Sequence, residues 1–314
     1  MITILLPTAG RPALLRTALE SVRQQTALNK VVRVIVSENA GDRASESVCA
    51  EFPSLPITYI FRTPSNPLEH AQFLMRECLH GELNAFLHDD DWWTPNHLAN
   101  AIAAFEAHPD ASAYGTGHFV VSGESSMLNC SGNLFPWFAS NYAPYRFVWE
   151  LSRLNVLVGE LLGTIAHYST LVARTEPLRK SAYVYDLGNP FDNDRMLNFA
   201  LAAFGPILFN PTPEAFIRNH GVQDCFNFDN DSRIQHMCGT TRWLVENSGR
   251  PWEAVANAFF RRMAACPPEA RRTLEMLAQK EWCLPEIKRH VAVKPPQGDT
   301  AAPAGPAENI AATR

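Results

Sequence analysis

Three consecutive carboxylates, Asp89, Asp90 and Asp91, end a hydrophobic run and are followed at once by Trp92 and Trp93. Adjacent carboxylates repel one another and are costly to desolvate unless something positive lies among them. Either a bound cation or a fully solvated loop would make this triplet tolerable. Because an apolar segment leads into it and two tryptophans follow it, we expect a bound cation.

The first 115 residues alternate short hydrophobic runs with helical patterns four times over. This alternation predicts a parallel sheet with right-handed crossovers. The runs are rich in Val, Ile and Leu without polar alternation, as expected for strands covered on both faces. We expect strands at residues 2–6, 31–36, 57–61 and 84–87, and helices at residues 12–25, 44–51, 69–79 and 95–108. The last helix would have Thr94 as its N-cap and Pro95 at its first position.

Polar loops follow three of the predicted strands, at residues 7–11, 37–42 and 88–91. Ligands of an open parallel sheet bind outside the carboxyl ends of its strands. The sequence therefore predicts that these three loops meet at one edge of the sheet and that the acidic triplet belongs to a ligand site there.

The rest of the chain divides into three parts. Residues 116–222 have a mixed pattern that we expect to complete the sheet and form the second wall of a cleft, so that residues 1–222 make one domain. Residues 223–293 read as helices rich in Trp, Leu and Arg. These helices could pack on the domain or on a second subunit of a homo-oligomer, which their spacing favours, or attach peripherally to a membrane. Residues 294–314 are too poor in large apolar side chains to fold, and we expect a disordered tail.

Composition excludes several classes of function. The net charge of -5 gives no general attraction to nucleic acid. The seven cysteines are irregularly spaced and include no C-x-x-C pair, so neither a disulfide framework nor a zinc site is indicated. We find no signal peptide and no apolar run long enough to span a bilayer. A cytoplasmic protein is expected, with peripheral contact at the inner face of the cell membrane left open.

Four segments together resemble the nucleotide-diphospho-sugar-binding half of family 2 glycosyltransferases. They are Ile-Leu-Leu-Pro-Thr-x-x-Arg, Gln-Gln-Thr, Val-Ile-Val-Ser-Glu-Asn-Ala-Gly-Asp and Phe-Leu-His-Asp-Asp-Asp-Trp-Trp-Thr-Pro. They occur in the family's order and at its spacing over residues 1–115, and the likeness is fainter at residues 116–222. The resemblance implies an α/β protein of the GT-A type, with a Rossmann-like, parallel-core sheet flanked by helices and a helical C-terminal extension.

The resemblance also implies roles for individual residues at the donor nucleotide. Pro7, Thr8 and Arg11 would lie near the nucleotide, with the backbone of Thr8 and Ala9 touching the base. Glu38 stands where the family usually has an Asp that accepts a hydrogen bond from the ring NH of uracil or thymine. The first aspartate of the triplet, Asp89, would approach the ribose hydroxyls.

Other positions would bind the metal and perform the catalysis. Asp90, with Asp91 nearby, would hold Mn²⁺ or Mg²⁺ on the diphosphate, since hard oxygen ligands suit these ions. Arg218 or His220 would contact the diphosphate, and His220 is a candidate metal ligand. Asp194 aligns with the family's catalytic base, although an Asp at this position is also a good N-cap.

The implied function is that of an inverting, metal-dependent glycosyltransferase. It would move a sugar from a UDP- or dTDP-type donor to a hydroxyl of a glycan or lipid-linked acceptor, in the synthesis of a bacterial surface polysaccharide. Two alternatives stay open: a catalytically silent nucleotide-sugar-binding protein, and a nucleotidyltransferase that makes sugar nucleotides. A dinucleotide-dependent dehydrogenase is disfavoured because no G-x-G-x-x-G follows the first strand.

Overall fold

The protein is seen in a computed structural model that describes residues 1–63, 65–122, 126–131, 149–160, 164–189, 193–219 and 230–250. Within these residues, ten strands form one mixed, mostly parallel sheet with helices packed on it. Its first half contains β1 (Ile2–Thr8), β2 (Val31–Glu38), β3 (Ile57–Phe61) and β4 (Leu83–Phe86). These four strands pair in parallel in the order β3-β2-β1-β4, which confirms the predicted parallel arrangement.

Alternate side chains of β1 enter hydrophobic clusters on opposite faces of the sheet. Ile4 and Leu6 belong to one cluster and Leu5 to the other, and all three are 0% exposed. Burying each such side chain stabilises the fold by about 1.5–3 kcal/mol. The end of β1 is therefore held from both faces. The helices of this half are α1 (Pro12–Arg23), α2 (Glu46–Ala50), α3 (Pro67–Glu77) and α4 (His97–Ala107).

The second half extends the same sheet beyond β4. Strand β9 (Val172–Arg174) pairs antiparallel with both β4 and β6 (Ala113–Ser122). Strand β10 (Ile207–Asn219) pairs in parallel with β6. The remaining strands, at the margins of this half, are β5 (Trp92–Trp93), β7 (Ser126–Ser131) and β8 (Trp149–Leu151). Its helices are α5 (Arg153–Glu160), α6 (Thr175–Ser181) and α7 (Asn193–Leu201).

The segment after the acidic triplet differs from the prediction of a helix starting at Pro95. The two tryptophans form β5, which pairs antiparallel with Ala215 and Phe216 of β10. The next backbone N–H, that of Thr94, donates to the carbonyl of Glu214 at 2.9 Å. Because these backbone groups are used by the sheet, the helix begins two residues later than predicted, at His97.

Part of the predicted C-terminal helical extension is described. Helix α8 (Asn230–Glu246) packs on α5 and α7, and its Leu244 and Val245 are buried in the same cluster as the side chains of α7. Residues 223–229 and 251–314, which include the predicted disordered tail, lie outside the described residues. No helix in the described part of the chain is both long and apolar enough to cross a membrane.

Candidate active site

The carboxyl ends of β1, β2 and β4 meet at one edge of the sheet, beside a cleft of ≈ 350 Å³. The structure brings most of the predicted site residues to this cleft. Its walls include Pro7, Thr8, Ala9, Arg11, Asp89, Asp90, Asp91 and Asp194. Asp194 comes from a segment more than 100 residues beyond the triplet, so both halves of the chain contribute to the cleft.

Asp89 is a buried anchor for the loop after β1. It is 0% exposed and accepts hydrogen bonds from Thr8 Oγ1 at 2.6 Å and from Arg11 Nε at 3.1 Å, while Arg11 Nη2 reaches its other oxygen. Burial raises the pKa of this carboxyl and the adjacent Arg11 opposes the rise. Gly10 makes the turn in the left-handed region, at φ 71°. The predicted contact of Asp89 with ribose stays a prediction.

Asp90 shares the same guanidinium. Arg11 Nη1 donates to Asp90 Oδ2 at 3.0 Å, so Arg11 bridges the first two aspartates of the triplet. Arg218 Nε donates to the backbone carbonyl of Asp90 at 3.1 Å. The sequence led us to expect a bound cation to balance the negative charge of the triplet. In the structure, Arg11 balances part of that charge.

Asp91 has a different environment, although it is equally buried at 1% exposure. Its Oδ2 accepts a hydrogen bond from Ser169 Oγ at 2.5 Å, and its Oδ1 accepts one from the backbone N–H of Arg218 at 3.0 Å. His88 Nδ1 and His167 Nδ1 lie 4.0 and 3.9 Å from Oδ2. Burial, followed by the charge of Asp90, raises the pKa of Asp91 well above its usual range.

The sequence did not predict that these two histidines lie together at the acidic turn. One ligand atom from each of His88, Asp91 and His167 falls within 4.8 Å of the others. His88 adjoins the triplet, which was a signal in the sequence, whereas His167 reaches it only because β9 lies beside β4. The predicted metal ligand His220 lies outside the described residues.

Glu38 and Arg218 lie close to the cleft but are not among the described residues that line it. Glu38 is 0% exposed and accepts hydrogen bonds from Ser45 Oγ at 2.9 Å, from the Ser45 N–H and from the Tyr59 hydroxyl. Burial and the bond to Glu38 raise the pKa of Tyr59. The Arg218 guanidinium lies over the ring of Trp92, 4.8 Å from its centroid. Their predicted contacts with the donor stay predictions.

Asp194 lies in the first turn of α7, half-buried, with Oδ1 accepting the N–H of Arg195 at 2.9 Å. The next side chain, Arg195, is buried and donates from Nε to the carbonyl of Glu160 at 2.7 Å. A carboxylate in the cleft, on a helix fixed by a buried neighbour, is well placed for general base work.

Comparisons with known proteins agree with this architecture. The sequence of residues 3–158 matches the family described as Glycosyl transferase family 2, whereas no curated protein matches the chain. The structure of residues 1–349 of S. aureus TarS in complex with UDP has a TM-score of 0.58 at 13% identity, covering 83% of this chain and 70% of that one. The same TarS fragment with UDP-GlcNAc has a TM-score of 0.58 at 14% identity and covers 88% and 79%.

A mannosyltransferase from Pyrobaculum calidifontis, PcManGT, in complex with GDP-Man and Mn²⁺, has a TM-score of 0.53 at 18% identity over 93% of this chain and 78% of that one. At such identities the likeness shows the fold, which is that of the GT-A enzymes. The chain belongs to the family 2 glycosyltransferases, and it is a glycosyltransferase. This assignment decides against the nucleotidyltransferase alternative.

Proposed function

We propose that this glycosyltransferase is inverting and moves a sugar from a UDP- or dTDP-type donor to a hydroxyl of a glycan or lipid-linked acceptor, in bacterial surface polysaccharide synthesis. The observation that carries the proposal is the meeting, in one cleft, of the acidic turn after β4 with Asp194 of α7. The acidic turn is suited to binding a cation at the leaving diphosphate, and Asp194 is suited to accepting the proton of the attacking hydroxyl. TarS, whose structures hold UDP and UDP-GlcNAc, supports a nucleotide-sugar donor.

The donor would lie along the carboxyl ends of β1 and β4. Pro7, Thr8 and Ala9 offer their backbone to the nucleotide at the rigid end of β1. Arg11 lines the same cleft and could direct its charge toward the diphosphate as well as toward Asp89. Glu38 would accept a hydrogen bond from the ring NH of the base; among the described residues Ser45 and Tyr59 donate to its two oxygens, so this contact would take the place of one of those bonds.

The acidic turn fits a divalent cation, because Asp91 is a buried carboxylate whose ionic partners among the described residues are two histidines and no Arg or Lys. Asp90 and Asp91 would hold Mn²⁺ or Mg²⁺, with the predicted ligand His220. When bound, such a cation neutralises charge on the leaving diphosphate. The PcManGT complex contains Mn²⁺, which is consistent with this chemistry in the fold.

Asp194 would act as the general base and take the proton of the acceptor hydroxyl as it attacks the anomeric carbon. Removing a general base costs about 10²–10⁴ in rate. We therefore expect Asp194→Asn to lose at least about a hundredfold in kcat while donor affinity, measured by calorimetry with UDP, is retained. Asp186→Asn, which alters an exposed carboxylate paired with Arg76, is the matched control. Full turnover in Asp194→Asn would contradict the assignment.

We place the reaction in the cytoplasm because the cysteine pattern favours a reducing compartment. A lipid-linked acceptor would bring the enzyme to the inner face of the membrane, with residues 223–293 as the segment for peripheral contact or for a homo-oligomer. Sedimentation with anionic vesicles tests the first, and light scattering at several protein concentrations tests the second.

A further inference from the structure

We propose that His88, Asp91 and His167 form a two-histidine, one-carboxylate metal site that takes a transition-metal ion such as Mn²⁺ in preference to Mg²⁺. The inference rests on the proposed metal dependence and replaces its oxygen-rich ligand set with one that includes two imidazoles. All three side chains line the cleft described above.

The three ligand atoms are close to the spacing that one ion requires. Their mutual distances are within 4.8 Å, and each imidazole Nδ1 is 3.9–4.0 Å from Asp91 Oδ2. Metal–donor bonds of about 2.0–2.2 Å place two ligands of one ion about 3–4 Å apart. A contraction of about 1 Å or less in side chains at the cleft surface would therefore complete the site.

The charge balance of the triplet also favours a cation at Asp91. Arg11 pairs with both Asp89 and Asp90. The hydrogen-bond donors to Asp91 among the described residues are the Ser169 hydroxyl and the Arg218 backbone, both neutral. A carboxylate that is 1% exposed and forms no ion pair with an Arg or Lys of the described residues is costly to keep ionised. A metal ion between it and two imidazoles removes that cost.

The donor atoms are oriented by neighbouring groups. Ser169 Oγ donates to Asp91 Oδ2 and accepts the backbone N–H of His88 at 3.0 Å, so one hydroxyl ties two of the proposed ligands together. Nδ1 of His167 accepts the N–H of Ser169 at 3.2 Å and is therefore unprotonated; a metal ion there would replace this long bond. Tyr168 stacks on the ring of His88 with 5.6 Å between centroids. Groups that orient metal ligands in this way strengthen binding.

Ligand type sets the expected selectivity. Imidazole suits first-row transition metals, whereas Mg²⁺ prefers oxygen ligands in near-ideal octahedral geometry and retains several waters. We expect the metal-free full-length protein to bind Mn²⁺ at least about tenfold more tightly than Mg²⁺ in the absence of nucleotide. Titration followed by the electron paramagnetic resonance signal of free Mn²⁺, with Mg²⁺ as the competitor, measures this ratio.

Variants and a spectroscopic signature test the ligand set directly. His88→Ala and His167→Gln should each weaken Mn²⁺ binding at least about tenfold. Spin-echo modulation from imidazole ¹⁴N should be present in the wild type and fall in each variant. His108→Ala, at a half-exposed histidine paired with Glu150, is the control and should change neither quantity. Circular dichroism establishes that each variant is folded, and His88→Ala, at a 38% exposed side chain, keeps the test usable if His167→Gln does not fold.

Bound Mn²⁺ without ¹⁴N modulation, or undiminished affinity in the folded histidine variants, would overturn the two-histidine site. In either case Mn²⁺-dependent sugar transfer would leave the proposed function standing. Sugar transfer at the full rate by the chelator-treated wild type would instead remove the metal dependence itself. The two failures are thus distinguishable.

Discussion

At the scale of single residues, Arg11 balances much of the negative charge of the acidic turn without a bound ligand. The sequence placed this side chain beside a nucleotide, and the structure shows it bridging Asp89 and Asp90. Its guanidinium has the planar geometry for two carboxylates at once, which a lysine lacks. The triplet therefore contains two kinds of carboxylate: two that share an arginine, and Asp91, which lies beside histidines.

Removing the Arg11 side chain should destabilise the folded protein. Arg11→Ala leaves the fully buried Asp89 without the partner that its charge requires, and we expect a loss of about 2–4 kcal/mol in the free energy of unfolding at neutral pH, discounted because Arg11 is 29% exposed. The pKa of Asp89 is already raised by burial and would rise further. The native state would then bind more protons than the unfolded state, so the loss should shrink as the pH falls.

Urea unfolding at pH 7 and pH 5 checks the Arg11 prediction. Arg16→Ala is the control, because Arg16 forms a bidentate ion pair with Glu51 at the exposed surface. A destabilisation no greater in Arg11→Ala than in Arg16→Ala would show that the bridge contributes little.

His70 should make stability depend on pH. It is 6% exposed, its Nε2 lies 2.8 Å from Ser37 Oγ, and burial lowers its pKa to about 4. The unfolded value is about 6.5, so between these pH values the unfolded state binds a proton that the native state does not. Stability should therefore fall as the pH drops from 6.5 to 4, by about 2–3 kcal/mol from this residue.

Melting temperatures measured from pH 7 to pH 4 check this window. His70→Gln keeps a polar group near Ser37 but does not titrate, so its curve should be flatter than that of the wild type. Some slope should remain, because burial also lowers the pKa of His118 to about 4. Parallel curves for the variant and the wild type would show that His70 does not titrate as described.

At the scale of elements, local sequence patterns predicted the positions of the parallel strands in the first half of the sheet. Strand β3 was predicted at its observed bounds, and β1, β2 and β4 within two residues at each end, because short, mainly apolar runs between helical patterns specify the strands of a parallel sheet. The short strand of Trp92 and Trp93 was not predicted because its partner strand, β10, lies more than 100 residues away. His167 was missed for the same reason, since only the pairing of β9 with β4 brings it to the acidic turn.

Helix α7, which carries Asp194, is fixed by a buried charged pair that the sequence did not reveal. Glu160 is 0% and Arg195 is 2% exposed. Besides its bonds to the Glu160 carbonyl, Arg195 places Nε 3.9 Å from the Glu160 carboxylate, and Asn198 donates to that carboxylate at 2.9 Å. Burial raises the pKa of Glu160 well above its usual range, although Arg195 opposes the rise.

Breaking this pair on one side should cost more than replacing both partners. We expect Arg195→Met to lose about 3–5 kcal/mol, because it leaves the Glu160 charge buried and unpaired. The double variant Arg195→Met/Glu160→Met should lose clearly less than the sum of the two single variants. Urea unfolding of the four proteins completes the cycle. Additive losses would mean that the two side chains do not interact.

At the scale of the whole molecule, one part of the cleft comes from residues that match the family in sequence and another part from residues that do not. Residues 3–158 match the family and contribute the acidic turn. His167 and Asp194 lie beyond that match, on the wall where the likeness in sequence is fainter. The position of the acidic turn at the edge of the sheet could therefore be predicted from short motifs at strand ends. The second wall could not, because long-range pairing places it.

A ligand that spans both walls should stabilise the whole molecule. If a cation links Asp91 to the diphosphate, UDP and Mn²⁺ together should raise the melting temperature by more than the sum of their separate effects. Saturation at one hundred times the dissociation constant contributes about 2.7 kcal/mol, or about 5–10 °C for a domain of this size. In Asp91→Asn, which keeps the shape of the side chain but removes its charge, the excess should disappear. Asp186→Asn, altered at an exposed carboxylate, should keep it. An equal excess in Asp91→Asn would mean that the nucleotide and the metal are linked through another residue of the cleft.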